Sequence, residues 1–448
     1  MTNSEQSCEP KFFDGDILIK NGRIITVDSQ NRIIDNGALL IRSDIISKIG
    51  TTSEMADMCA CTVIDARGGI VMPGLVNTHT HLPMSLFRGF ADDMPLITWL
   101  NDYMFKLEAR YIGPETVQCG TLLSCAEMLL SGTTTCCDGY FHEEVVAEAV
   151  YTSGIRAVLG QGVIDFPAPG VVNPLLNVEH ATSYAQKFKN RYPRIRSAIF
   201  CHSPYTCSKE TLIHAKQAAL DTGVLFQIHV AETRSERDQI RQQHRKTTVE
   251  YLDSLGILDS TTLLVHAVWV TDADVDIIRQ RGSSISHNPE SNMKLASGIA
   301  PVLDFIRAGI PTGLGTDGGA SNNNLDLFTE MDSAAKLHKV HRFDVGVLDV
   351  LSVLKMATIE GAKAIGLGNI TGSLEIGKKA DIIILDTHKP HLVPMYNPIS
   401  HLVYSATGAD VRDVLIDGEI VVKDRKILTL DLDAILIKAT EFASHLTI

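Results

Sequence analysis

Val224-Leu225-Phe226-Gln227-Ile228-His229 is a short apolar run that ends in a histidine, and the same design recurs at Leu263-Leu264-Val265-His266 and Ser284-Ile285-Ser286-His287. Runs of this length suit strands buried on both faces, as in a parallel sheet. Working outward from them gives eight candidate strands, at Ile70–His79, Thr133–Asp138, Arg156–Ile164, Arg196–His202, Val224–His229, Leu263–His266, Ser284–His287 and Thr312–Asp317. Helical stretches such as Glu115–Leu130, Thr211–Thr222 and Thr271–Arg281 separate them. Strands that alternate with helices predict β/α units, and eight such units predict an α/β fold closed as a (β/α)8 TIM barrel.

Both ends of the chain have a different texture. Asp16-Ile17-Leu18-Ile19 and Arg23-Ile24-Ile25-Thr26-Val27 flank Asn21-Gly22, a pair that signals a hairpin turn. Ala38–Ile41 and Ile45–Ile49 continue as short strands. The texture returns in Ala380–Asp386 and Val411–Ile416, then Asp417-Gly418, then Glu419–Val422. The expectation is a small β-sandwich domain assembled from residues 1–70 and 372–448, around a barrel spanning 71–371.

The chain has 448 residues, 45% hydrophobic and 21% charged, within the ordinary range for a globular protein. Its net charge of −13 argues against nucleic acid or an anionic membrane surface as partner and favours a small neutral or cationic molecule. No signal peptide and no membrane-spanning apolar run is visible. Nine scattered cysteines, with Cys136 and Cys137 adjacent, read as reduced, mostly buried thiols and so as a cytoplasmic protein.

The polar residues carry the function. His79/His81, His202, His229, His266 and Asp317 all fall at the C-terminal ends of predicted strands, where a barrel of this kind places its reacting groups. Taken singly, each has a bland explanation: His-x-His is a weak motif, His229 could be a core histidine, Glu232 a solvated loop charge, and Asp317 a turn residue. Together, at successive strand ends, they are a constellation that chance scatter of 16 histidines does not give. His79 and His81, two apart on a strand, point to the same side. Three neutral imidazoles and one carboxylate from this set suit a borderline divalent ion, Zn²⁺ first, with Fe²⁺ or Mn²⁺ as alternatives. No strand-end lysine lies between His81 and His229 to bridge a second metal, so one ion is expected.

At this point the residues resemble a known family. Val71-Met72-Pro73-Gly74-Leu75-Val76-Asn77-Thr78-His79-Thr80-His81 and Gly372–Asp381 look like the amidohydrolase superfamily. Leu86-Phe87-Arg88-Gly89, His202-Ser203-Pro204-Tyr205, Ser286-His287-Asn288-Pro289 and Gly315–Asn323 resemble, within it, the 5'-methylthioadenosine/S-adenosylhomocysteine deaminases. The resemblance implies a mononuclear site with ligands His79, His81, His229 and Asp317. It implies Glu232 as proton shuttle, His266 beside the attacking water, and Asp317 as an acceptor from the nucleophile. It also implies substrate contacts from His202 to the purine, Glu108 to the ribose hydroxyls, and Trp99 and Ser321 in the same pocket. Homo-oligomerisation is expected by family analogy alone. His142 and His287 also lie near strand ends; helix capping and positioning are the readings preferred for them.

The implied reaction is hydrolytic deamination of an adenine nucleoside with release of ammonia. Its alternatives are a triazine chlorohydrolase-like or guanine/pterin deaminase-like reaction, ring-amide hydrolysis with two metals, and a non-catalytic scaffold. Glu232 favours deamination over dechlorination, because a leaving amine needs a proton. Filled ligand positions speak against a scaffold. One position departs from the family: Gln161 stands where members that accept a homocysteine tail carry an arginine. A glutamine lacks the charge of a bidentate guanidinium. The expected preference is therefore 5'-methylthioadenosine or adenosine over S-adenosylhomocysteine, unless Arg88 supplies the missing cation.

Overall fold

A computed structural model describes residues 16–446. Eight parallel strands form the central barrel: β1 (Leu75–His81), β2 (Thr133–Tyr140), β3 (Arg156–Val163), β4 (Ile195–Cys201), β5 (Leu225–Val230), β6 (Thr262–His266), β7 (Ser284–His287) and β8 (Thr312–Leu314). Two residues after β8, Asp317-Gly318 pair with Thr80-His81 of β1 and close the barrel. Helices follow the strands, among them Pro114–Leu130 after β1, Lys209–Thr222 after β4 and Asp272–Arg281 after β6. Buried apolar residues such as Leu159, Ile199, Phe226, Ile228 and Leu264 join strands and helices in one core. That core fixes all eight strand ends on one face.

A second nine-stranded sheet is built from both chain ends. Its spatial order is Lys426–Ile427, Glu419–Lys423, Val411–Ile416, Ile382–Leu385, Ile70–Pro73, Ile17–Ile25, Ile33–Arg42 and Ile45–Thr51, with Thr62–Asp65 beside Ile17–Ile25. Ile24, Leu39 and Ile41 from one end bury against Ile382, Ile384 and Leu415 from the other.

Two local expectations need correction. The run Ile70–His79 is two strands, because the chain passes from one sheet to the other at Gly74. Its amide donates to Asp381 O at 3.0 Å, and the next amide, of Leu75, to Gly132 O at 3.0 Å. A Cβ at Gly74 would lie 2.1 Å from the Thr134 side chain, so only glycine fits the crossing. Asn21-Gly22 is likewise not a hairpin turn. The strand Ile17–Ile25 runs straight through it, and Asn21 at φ 58° makes an irregularity in the register with Ile33–Arg42. The same dipeptide logic does succeed at Asp417-Gly418, where φ of 56° and 77° turns Val411–Ile416 into its antiparallel partner Glu419–Lys423. A left-handed Asn or Asp followed by Gly can therefore kink one strand or join two.

One buried ion pair ties the two sheets together. The Arg156 guanidinium, at the start of β3, donates to Asp381 at 2.7 and 3.0 Å and to Asp417 at 3.0 Å, with Arg156 and Asp381 side chains only 5% and 0% exposed. Although burial opposes it, Arg156 holds the Asp381 carboxyl below the usual carboxylate range. Removing one member of such a pair strands the other charge. Asp381→Ala should therefore lower the free energy of unfolding by about 3–5 kcal/mol in denaturant titration. A loss under about 1 kcal/mol would show the pair to be solvated in solution.

Candidate active site

The strand ends converge on one cluster. His79 and His81 on β1, His229 on β5 and Asp317 beyond β8 each present one donor atom, and these four atoms lie within 4.8 Å of one another. His79 Nε2 is 3.1 Å from His229 Nε2, and Asp317 Oδ1 is 3.3 Å from His81 Nε2. Two of the donors are held from behind. His81 Nδ1 lies 2.6 Å from Gly139 O on β2, and Asp317 Oδ2 accepts from Ser291 Oγ at 2.7 Å. Asn77, also on β1, accepts the Thr316 amide and donates to the Thr316 hydroxyl, locking the loop that carries Asp317.

Left-handed backbone that the side chains do not favour occurs at these strand exits in Ala231 (φ 50°), His266 (φ 71°), Ala267 (φ 46°) and Asp317 (φ 61°). Such conformations cost of order 1–3 kcal/mol each and persist only where surrounding contacts enforce them. Here they turn His266 and Asp317 toward the axis.

Electrostatics fits a cation. Burial drives His79 down to about 3 and His229 well below the ordinary histidine range. Against burial, Asp317 and Asp138 raise His81 to about 9. Asp317, also against burial, is held well below the carboxylate range by His79 and His81. Once His81 gives up its proton, three imidazoles and one firmly ionised carboxylate form the donor set that Zn²⁺, Fe²⁺ or Mn²⁺ takes.

Beside the cluster stands Glu232, whose Oε2 is 3.7 Å from His266 Nε2 and whose Oε1 accepts from Ser297 Oγ at 3.3 Å. Burial raises its carboxyl above the ordinary value, with His266 opposing. His266 is fixed by Asn292 Oδ1 at 2.9 Å and Asn288 Nδ2 at 3.2 Å. His202, the residue after β4, packs its ring 5.2 Å from that of His229, and its Nδ1 meets Thr206 Oγ1 at 2.9 Å. These groups form the floor of a cavity of about 730 Å³ of empty space, open mouth included.

The outer wall comes from the segment after β1. Leu96, Trp99, Leu100, Met104, Phe105 and Glu108 line the cavity, as does Ser321 from the loop after Asp317. Glu108 is buried, its carboxyl raised to about 7 by that burial, and Tyr140 OH donates to its Oε1 at 2.6 Å. Of the candidate substrate contacts, Gln161 alone does not line this cavity. Its amide oxygen accepts from Glu143 N at 3.1 Å and its nitrogen donates to Gly162 O at 3.4 Å. The wall at that strand is Gly162 and Val163. No lysine or arginine lines the cavity among the described residues, and Arg88 is paired with Glu127 elsewhere. His287 faces His338, Nε2 to Nε2 at 3.4 Å, and His142 begins the helix Glu143–Ser153 without a side-chain cap bond.

The amidohydrolase family profile matches residues 70–421. The chain is 44% identical over 420 residues to 5-methylthioadenosine/S-adenosylhomocysteine deaminase 1 of Syntrophus aciditrophicus, covering 93% of this chain and 94% of the relative. It is 44% identical over 440 residues to 5'-deoxyadenosine deaminase of Methanosarcina mazei, covering 96% and 98%. Among solved structures, it superposes on an adenosine deaminase from Xanthomonas campestris with bound zinc at TM-score 0.94 and 33% identity, covering 97% of this chain and 99% of the other.

Proposed function

The chain belongs to the amidohydrolase family, and we propose that it is a hydrolytic deaminase of adenine nucleosides, releasing ammonia and leaving the inosine analogue. The observation that carries this reading is the Glu232 carboxylate at 3.7 Å from His266, beside the four-donor cluster, at a cavity that Trp99, Glu108, His202 and Ser321 also line.

His79, His81, His229 and Asp317 would hold one divalent cation, zinc by preference, which when bound supplies water acidified from its ordinary pKa toward about 7. The remaining work falls to the chain's own groups. Glu232, disposed by burial to carry a proton, takes one from the attacking water and delivers it to ring N1. Protonation of N1 makes C6 electrophilic, and the water oxygen adds there. His266 holds that oxygen, and Asp317 accepts its remaining hydrogen. The proton of the added hydroxyl is then passed by way of Asp317 and Glu232 to the exocyclic nitrogen, the C6–N bond breaks, ammonia departs and C6 is left as a carbonyl. His202 faces the purine. Glu108, one oxygen already committed to Tyr140, has the other free for the ribose hydroxyls, with Trp99 and Ser321 lining the same space.

Cytoplasmic work is the reading that buried thiols favour: Cys125, Cys136, Cys137, Cys201 and Cys207 are free and buried. Among the described residues no helix is long and apolar enough to cross a membrane. A screen of ammonia release over adenine nucleosides, with metal analysis on the same sample, tests the assignment; a protein that deaminates none of them sinks it.

The lining also sets a preference within the class. A homocysteine carboxylate entering this cavity meets no cation, and an unpaired polar group costs on the order of 1–3 kcal/mol. The kcat/KM for 5'-methylthioadenosine should accordingly exceed that for S-adenosylhomocysteine by roughly 10- to 100-fold. Equal values would show that the carboxylate finds a partner outside the cavity.

A further inference from the structure

The sequence pattern Thr-x-x-acid opens three successive helices, at Thr233/Glu236, Thr247/Glu250 and Thr271/Asp274. In the second and third, the acid closes a capping box: Glu250 Oε2 accepts the Thr247 amide and Asp274 Oδ2 the Thr271 amide, each at 2.8 Å. The first behaves differently. Thr233 still caps Glu236 N, yet the Glu236 carboxylate reaches past its own N-cap. Oε1 accepts the Ala231 amide at 2.7 Å and Oε2 the Glu232 amide at 2.8 Å. Glu236 is 2% exposed.

We propose that Glu236 is the positioning residue for Glu232, holding two consecutive amides so that the neighbouring carboxylate stays aimed at the reacting ring; this rests on the proton-shuttle role of Glu232. Three observations support it. Ala231 is left-handed at φ 50°, a conformation that turns successive N–H groups to one side and that needs an external hold. On the far side one Glu232 oxygen accepts from Ser297 at 3.3 Å and the other only faces His266 Nε2 at 3.7 Å, so these loose contacts leave the aim of the carboxylate to its backbone. An ordinary cap would have satisfied Thr233 N, as it does in the two sister helices, and would have left the Ala231 and Glu232 amides unheld. A misplacement of about 1 Å at a reacting group costs on the order of 10²-fold in rate.

The test compares Glu236→Gln and Glu236→Ala with the parent holoenzyme. The readouts are ammonia release from 5'-methylthioadenosine, metal content, and amide hydrogen exchange across residues 229–236. For Glu236→Ala the expected result is kcat lower by about 10²-fold, KM unchanged, and metal content unchanged. Exchange at Ala231 and Glu232 should be faster by about 10-fold or more and unchanged elsewhere. Gln, which keeps one acceptor oxygen, should fall between parent and Ala. Unchanged local exchange overturns the proposal, whatever the activity. So does unchanged kcat, or a loss in which KM, metal and global exchange all move together, since that is plain destabilisation. Should the parent release no ammonia from any nucleoside, the functional reading fails, and the exchange data still decide whether Glu236 holds the segment.

Discussion

Glu232→Gln is expected to lower kcat for adenine nucleosides by roughly 10²- to 10⁴-fold, the usual worth of a positioned proton carrier. The substitution is close to isosteric, and its amide oxygen can still accept from Ser297. What it loses is the ability to take a proton from water and return it to the ring. Because Glu232 is not one of the four clustered donors, metal content should remain near that of the parent. KM should change little, since neither Glu108 nor His202 is disturbed. Full activity with intact metal would remove Glu232 from the mechanism and leave His266 as the proton carrier to be tested.

The legible part of this site was its first layer. Four donors and Glu232 sit where strands end, and strand ends show in sequence as apolar runs closed by a histidine or a glycine-flanked aspartate. The supporting layer could not be read in the same way, because its partners are distant or lie on other elements. Ser297 meets Glu232 across 65 residues, Tyr140 meets Glu108 across 32, and Ser291 and Asn292 sit on a short helix that resembles a loop in sequence. Tyr140 carried one usable signal, standing two residues beyond Asp138 on the same strand and hence on the same face.

Gln161 shows the opposite error. Its place on the third barrel strand was right, but successive residues of a strand face opposite ways, and Gly162 meets the cavity instead. The substrate preference inferred from Gln161 thus survives on different evidence, the lack of any cation in the lining. Asn21-Gly22 failed for a related reason. The dipeptide specifies a backbone conformation and not the pairing of what flanks it, and pairing was decided by Ile33–Arg42 lying alongside the whole strand.

Removing the cation should have the largest effect of all. Dialysis against a chelator is expected to reduce deamination by roughly 10⁴-fold or more, because uncatalysed water at neutral pH has a pKa near 16 and the proton carrier alone cannot make it nucleophilic. One equivalent of Zn²⁺ per chain should restore activity, with Fe²⁺ and Mn²⁺ as competitors of the same donor preference. One ion per chain is the expected stoichiometry: His79, His81, His229 and Asp317 are the only group of three or more candidate ligands among the described residues, and no lysine among them lines the cavity to bridge a second ion. His229→Ala should therefore lose metal and activity together, while His202→Ala, beside but outside the donor set, should keep its metal and lose affinity for the ring. Two ions per chain, or activity that survives chelation with no residual metal, would place the chemistry on other groups than these four.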